Sequence, residues 1–160
     1  MSLKQEFELL RRVPYFAEIE PAKLKLLAFM SERVAFDAGK RLFRQGDPGD
    51  AAYLIIDGEA EVIAETPAGS VVLATLGANE IVGEMAILSN APRSATVRAK
   101  ARLVTLRISK EPFMRMVREF PSMAVSIMQE LAERLASTNK QLGTALAEAK
   151  RLRQETGIHA

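Results

Sequence analysis

Cysteine and tryptophan are absent from the 160 residues, and the only histidine, His159, stands next to the last residue. Without cysteine there is no disulfide, thiolate metal site, iron–sulfur cluster or thiol nucleophile. A single histidine near the end removes His-based metal sites and nearly all imidazole acid–base chemistry. No apolar run approaches the roughly 18 residues that a membrane helix needs. The opening residues, Met-Ser-Leu-Lys-Gln-Glu-Phe-Glu, lack the apolar run of a secretory signal. Charge of one sign is missing too: 22 basic residues stand against 20 acidic ones, a formal net charge of +2. That balance leaves no strong electrostatic footprint for nucleic acid. The absences together predict a soluble, cytoplasmic protein of one domain, with no catalytic and no metal residues built on cysteine or histidine.

Residues 3–12 are patterned for a short helix that Val13-Pro14-Tyr15-Phe16 interrupts. Pro21 suits a first helical position, ahead of Leu24, Leu27 and Ala28 at helical spacing. From about Val34 the texture changes to short runs punctuated by Gly39, Gly46, Gly49, Gly58, Gly69, Gly77 and Gly83, as in a small antiparallel roll. In 59–64, Ala60, Val62 and Ala64 are expected on one face, and Thr66-Pro67-Ala68-Gly69 is the turn that follows. Val97, Ala99, Ala101 and Leu103 are apolar at odd positions, after which Val104, Leu106 and Ile108 take the even ones. That phase switch predicts a turn or bulge near 100–103. The parts are then a helical segment over 1–33, a β-roll over 34–108, a short helix over 109–120 and a long helix over 121–155.

The last helix carries a seam. Met128, Leu131, Leu135, Thr138, Leu142, Ala145, Ala149 and Leu152 follow alternating steps of three and four, the a/d spacing of a two-stranded coiled coil. The seam predicts a homodimer, with the two alanines and Gly143 weakening its distal half. Thr138 is the polar exception: it either sets register or presents a hydroxyl to something bound beside the dimer axis.

Between the apolar runs around Ile81 and Val97 lie one glycine, one carboxylate, a short helical turn and one arginine. Arg93 offers a planar, permanently charged fork suited to a phosphodiester. Ser94 adds a hydroxyl, and N–H groups at the start of the turn after Gly83 suit a phosphate oxygen. Glu84 accepts hydrogen bonds only, so it fits a sugar hydroxyl and repels a phosphate. Taken singly, Glu84 and Arg93 read more readily as solvated surface residues than as ligands.

Gly83-Glu84-Met85-Ala86-Ile87-Leu88 followed by Pro92-Arg93-Ser94-Ala95-Thr96-Val97 resembles the phosphate-binding cassette of the cyclic nucleotide-binding domain family. Gly46-Asp47-Pro48-Gly49-Asp50 with Tyr53-Leu54-Ile55-Ile56-Asp57-Gly58 resembles that family's early β-roll, and Val13-Pro14-Tyr15-Phe16 its N-terminal helical motif. The resemblance covers roughly residues 8–142. It implies a mainly β, α+β fold: an antiparallel roll of jelly-roll type with N-terminal helices and a long C-terminal dimerisation helix. It also implies that Glu84 takes the ribose 2′-OH, Arg93 the cyclic phosphate, Ser94 a further phosphate bond, and Gly83, Met85 and Ala86 backbone contacts. By the same resemblance, a serine at 94 points to cyclic AMP before cyclic GMP, and the site is read as a receptor site and not a catalytic one. Residues 133–143 resemble the dimer helix of the catabolite activator type, which implies adenine contacts from Thr138 and from Asn139 of the partner subunit. These 160 residues supply no recognition helix, so they are expected not to bind DNA. They are read as a stand-alone sensor or the sensor part of a longer transcription regulator. Two other classes compete. A cupin-type enzyme on the same roll needs clustered His ligands that are missing. An interaction module with a decayed cassette, or one serving another anion, is disfavoured by intact Glu84, Arg93 and Ser94.

Overall fold

The computed structural model describes residues 3–157. Contacts divide the chain into two compact units, with the boundary between Met123 and Ala124. His159 lies outside the described residues.

The first unit opens with α1 (Leu3–Arg11), which buries Phe7 and Leu10. Pro14 cannot continue α1, and it starts a 3-10 turn over Pro14–Phe16 that buries Tyr15 and Phe16. Helix α2 (Pro21–Phe29) begins with its proline in the first turn and buries Leu24, Leu27 and Ala28.

Eight strands follow among the described residues: β1 (Glu32–Phe36), β2 (Arg41–Phe43), β3 (Ala51–Asp57), β4 (Ala60–Thr66), β5 (Gly69–Leu76), β6 (Ile81–Val82), β7 (Thr96–Ala99) and β8 (Leu103–Ser109). They form two four-stranded sheets, in the orders β1-β8-β3-β6 and β2-β7-β4-β5. Every pairing is antiparallel. The protein is therefore an antiparallel roll of jelly-roll type flanked by helices. Its core lies between the sheets: Ala51, Tyr53, Ile55, Val82 and Leu103 come from one, and Leu42, Ala60, Val97 and Ala99 from the other.

The turn expected near residue 100 is present: residues 100–102 connect β7 and β8, which belong to different sheets. Leu103 faces the core between the sheets, whereas Leu106 and Ile108 lie on the opposite face of β8, paired with Leu54 and Ala52. That face is buried as well, so apolar residues take odd and even positions along β8. The face expected for β4 holds only as far as Val62. Ala60 is buried and Val62 packs against the same core, but beyond Val62 it is Ile63 that is buried and Ala64 is only partly covered. Val62 pairs with Ala74 and Ile63 with Val72, which leaves Leu73 as an extra residue on β5. A bulge of this kind adds local twist and breaks the simple alternation.

The site is carried by the chain between β6 and β7. Strand β6 pairs with β3, Val82 opposite Tyr53. Gly83 then turns the chain into α3 (Glu84–Ser89), which ends at Asn90 in the left-handed region. Helix α4 (Lys110–Glu119) buries Phe113 and Met116, and the Phe113 ring meets Phe16 edge-on at 6.5 Å. Helix α5 (Pro121–Glu155) runs 35 residues without a break, through Gly143. It spans about 50 Å at the usual rise per residue. In the second unit, Met128, Leu135, Leu142 and Leu152 of the seam are solvent-exposed.

Candidate functional site

Gly83 has φ +90° and caps the N-terminus of α3. Only glycine takes that conformation without strain. Space makes the same demand: a Cβ there would stand 2.7 Å from Arg93 Nη1 and 3.0 Å from the Phe43 ring. Gly49 does the equivalent work opposite α3, since a Cβ on it would come within 2.5 Å of the Ala86 Cβ. The short helix is thereby packed directly against the β2–β3 loop.

Glu84 sits in the first turn of α3 and is 1% exposed. Arg93 is 3% exposed. Neither is a solvated surface residue. Arg93 Nη1 donates to the Gly83 carbonyl at 2.5 Å and Nη2 to the Ala51 carbonyl at 2.6 Å. Nη2 also approaches Asp50 Oδ1 at 3.4 Å, a long ion pair. Nε is buried with no hydrogen-bond partner. The guanidinium lies over the Phe43 ring, 3.8 Å from its centroid. Burial lowers the pKa of Arg93 from its ordinary value, and Asp50 opposes that shift. A guanidinium so far above neutrality stays charged throughout the working range.

The Arg93 main chain is pinned as firmly as the side chain. Its N–H donates to the Asp47 carbonyl and its carbonyl accepts from the Gly46 N–H, both at 2.8 Å. Nearby, the buried Thr96 hydroxyl accepts the Gln45 N–H at 2.9 Å. The loop over 44–50 and the end of the cassette thus form one hydrogen-bonded assembly. Asp50 adds a second contact, to Arg107 at 3.3 Å.

The cassette brings together Gly83, Glu84, Met85, Ala86, Arg93 and Ser94, with Met85 and Ser94 on the exposed side. Thr138 and Asn139 lie on the exposed surface of α5 in the second unit. The sequence did not single out Phe43, Ala51 or Asp50's two arginine contacts, and Thr96 stood in the cassette motif without a role. Asp50 stood inside the noted 46–50 segment, but nothing in its spacing announced which cations it meets. Among the described residues, no group of three or more His, Cys, Asp or Glu is placed to hold a metal.

Comparison with known proteins places this geometry. Residues 33–120 match the family described as the cyclic nucleotide-binding domain. The chain is 27% identical over 136 residues to a "CRP-like cAMP-activated global transcriptional regulator" of Mycobacterium tuberculosis, covering 84% of this chain and 61% of that protein. It is 37% identical over 109 residues to the "cAMP-dependent protein kinase regulatory subunit" of Schizosaccharomyces pombe, covering 68% of this chain and 26% of that one. Among solved structures, the sensor domain of the transcriptional regulator DNR from Pseudomonas aeruginosa superposes with a TM-score of 0.77 at 25% identity, covering 86% of this chain and 93% of that one. The chain thus spans less than two thirds of each of these two full-length relatives.

Proposed function

Because the chain belongs to the cyclic nucleotide-binding domain family, we propose that it is a receptor domain for a cyclic nucleotide, cyclic AMP before cyclic GMP. Arg93 takes the cyclic phosphate, Glu84 the ribose 2′-OH and Ser94 a further phosphate oxygen. Gly83, Met85 and Ala86 contribute backbone contacts. One observation carries the reading: a buried, charged Arg93 with both Nη atoms anchored and Nε left without a partner. An unsatisfied buried donor costs about 1–3 kcal/mol. A phosphate oxygen at the Nε edge removes that cost, and the long Asp50 contact at 3.4 Å is the one most easily exchanged for a second oxygen. Glu84, acceptor-only and buried nearby in sequence, matches a hydroxyl. The relatives named as cAMP-activated and cAMP-dependent support the choice of nucleotide.

In this reading the protein is a sensor and not an enzyme. It works in the cytoplasm as a homodimer through the α5 seam, where Thr138 and the partner's Asn139 reach the adenine. Ligand binding biases the arrangement of the dimer helices. Titration calorimetry on the wild type and Arg93→Ala tests the assignment. The variant is expected to lose about 2–5 kcal/mol of cyclic AMP binding, the usual cost of removing one partner from a buried charge pair. Unchanged affinity would remove Arg93, and with it the proposed site.

A further inference from the structure

Phe43 is the last residue of β2, forty positions before Gly83 and outside the cassette. Strand β2 pairs with β7 irregularly: Arg41 stands opposite Arg98 and Phe43 opposite Val97, two steps on one strand against one on the other. A slip of this kind re-aims the side chain that follows it. Here the ring ends 3.8 Å from the Arg93 guanidinium. Its other neighbours hold it there. Phe43 packs on Tyr53 at 6.2 Å, and Tyr53 packs edge-on against Phe36 at 6.0 Å.

The bonds around Arg93 differ in what they restrain. Those to Gly83 O and Ala51 O come from N–H groups that lie in the guanidinium plane, so they act mainly within that plane. They resist tilting out of that plane far less. The half-buried Phe43 face supplies the missing restraint, by an attraction that grows as the cation is desolvated, and Arg93 is buried. We propose that Phe43 is a positioning residue of the anion site: its ring is the platform that holds the Arg93 guanidinium flat, with the Nε edge free for a phosphodiester oxygen. The proposal rests on the reading of Arg93 as the phosphate ligand. A fork that is already oriented loses less freedom on binding, and that difference appears as affinity.

The test is a calorimetric titration of the full chain with cyclic AMP. Wild type, Arg93→Ala, Phe43→Leu, Phe43→Ile and Phe43→Tyr are compared, and thermal melts establish that each variant is folded. Phe43→Leu is expected to bind roughly 3- to 10-fold more weakly, and Phe43→Tyr, which keeps the aromatic face, to restore wild-type affinity. In an Arg93→Ala background the Phe43→Leu change is expected to have no further effect, because the coupling runs through the guanidinium. If Phe43→Leu does not fold, Phe43→Ile carries the same comparison in a residue suited to a strand. The spectroscopic companion is the Arg93 Nε–H resonance, which a ring so close must shift and which should move toward its ordinary position in Phe43→Leu. An affinity that is equal or tighter in folded Phe43→Leu, or no rescue by Phe43→Tyr, overturns the platform. Wild-type affinity in Arg93→Ala would instead overturn the phosphate reading on which it rests. The resonance then decides by itself whether the ring holds the guanidinium.

Discussion

Arg93 owes its placement to groups that each cost little and together leave it one orientation. Two carbonyls, a carboxylate and an aromatic face surround it, and the one donor they miss is Nε. Gly83 makes that enclosure possible. With φ +90° and Arg93 Nη1 only 2.7 Å from any Cβ, Gly83→Ala adds backbone strain and a collision. The expected cost is about 1–3 kcal/mol. It should appear as a lower melting temperature together with weaker cyclic AMP binding, since Arg93 must yield first. A variant that melts and binds like the wild type would show that the close approach is unimportant. Thr96 is a smaller case. Thr96→Val removes the acceptor for the Gln45 N–H, so about 1 kcal/mol of stability is expected to go. Chemical denaturation curves with matched slopes measure it directly.

At the scale of elements, the roll positions the site by bringing distant segments into register. Strand β6 is two residues long, and its pairing with β3 sets where Gly83 stands relative to Ala51. The β2–β3 loop closes the other side through Gly49 and Gly46. Gly49→Val is expected to push α3 away from that loop, because even a Cβ at position 49 meets the Ala86 backbone at 2.8 Å. Overpacking of this type costs about 1–3 kcal/mol, and hydrogen exchange should show it as faster opening across 84–89. The α3 amides keeping wild-type protection would refute the idea that Gly49 sets the position of the helix. The cassette's order, glycine, carboxylate, turn, arginine, was legible in the sequence because those residues are neighbours in the chain. The β4 face was legible only as far as Val62. A bulge at Leu73 depends on which residue of β5 opposes Ile63, and alternation within one strand carries no record of its partner.

At the scale of the whole molecule, the seam on α5 is an exposed apolar stripe. Met128, Leu135 and Leu142 are each more than half exposed, at 60%, 62% and 54%. Burial of such side chains is worth about 1.5–3 kcal/mol apiece, which favours pairing with a second copy. Replacing Leu135 and Leu142 by Lys is expected to turn a dimer into a monomer in sedimentation experiments. Cyclic AMP affinity should fall with it if Thr138 and the partner's Asn139 meet the base. A wild type that sediments as a monomer at micromolar concentration would end the dimer reading.

By itself the sequence determined the chemistry that is unavailable, with no cysteine and one histidine. It also determined which residues form the cassette and the period of the seam, because these follow from composition and local spacing. Only the tertiary structure decided that Glu84 and Arg93 are buried, that Ala51 and Gly83 lend their carbonyls, and that Phe43 covers the guanidinium. Those facts depend on strand register and bulges across the sheets. Pairing energy there is summed over residues dozens of positions apart, so no local stretch of chain encodes it alone.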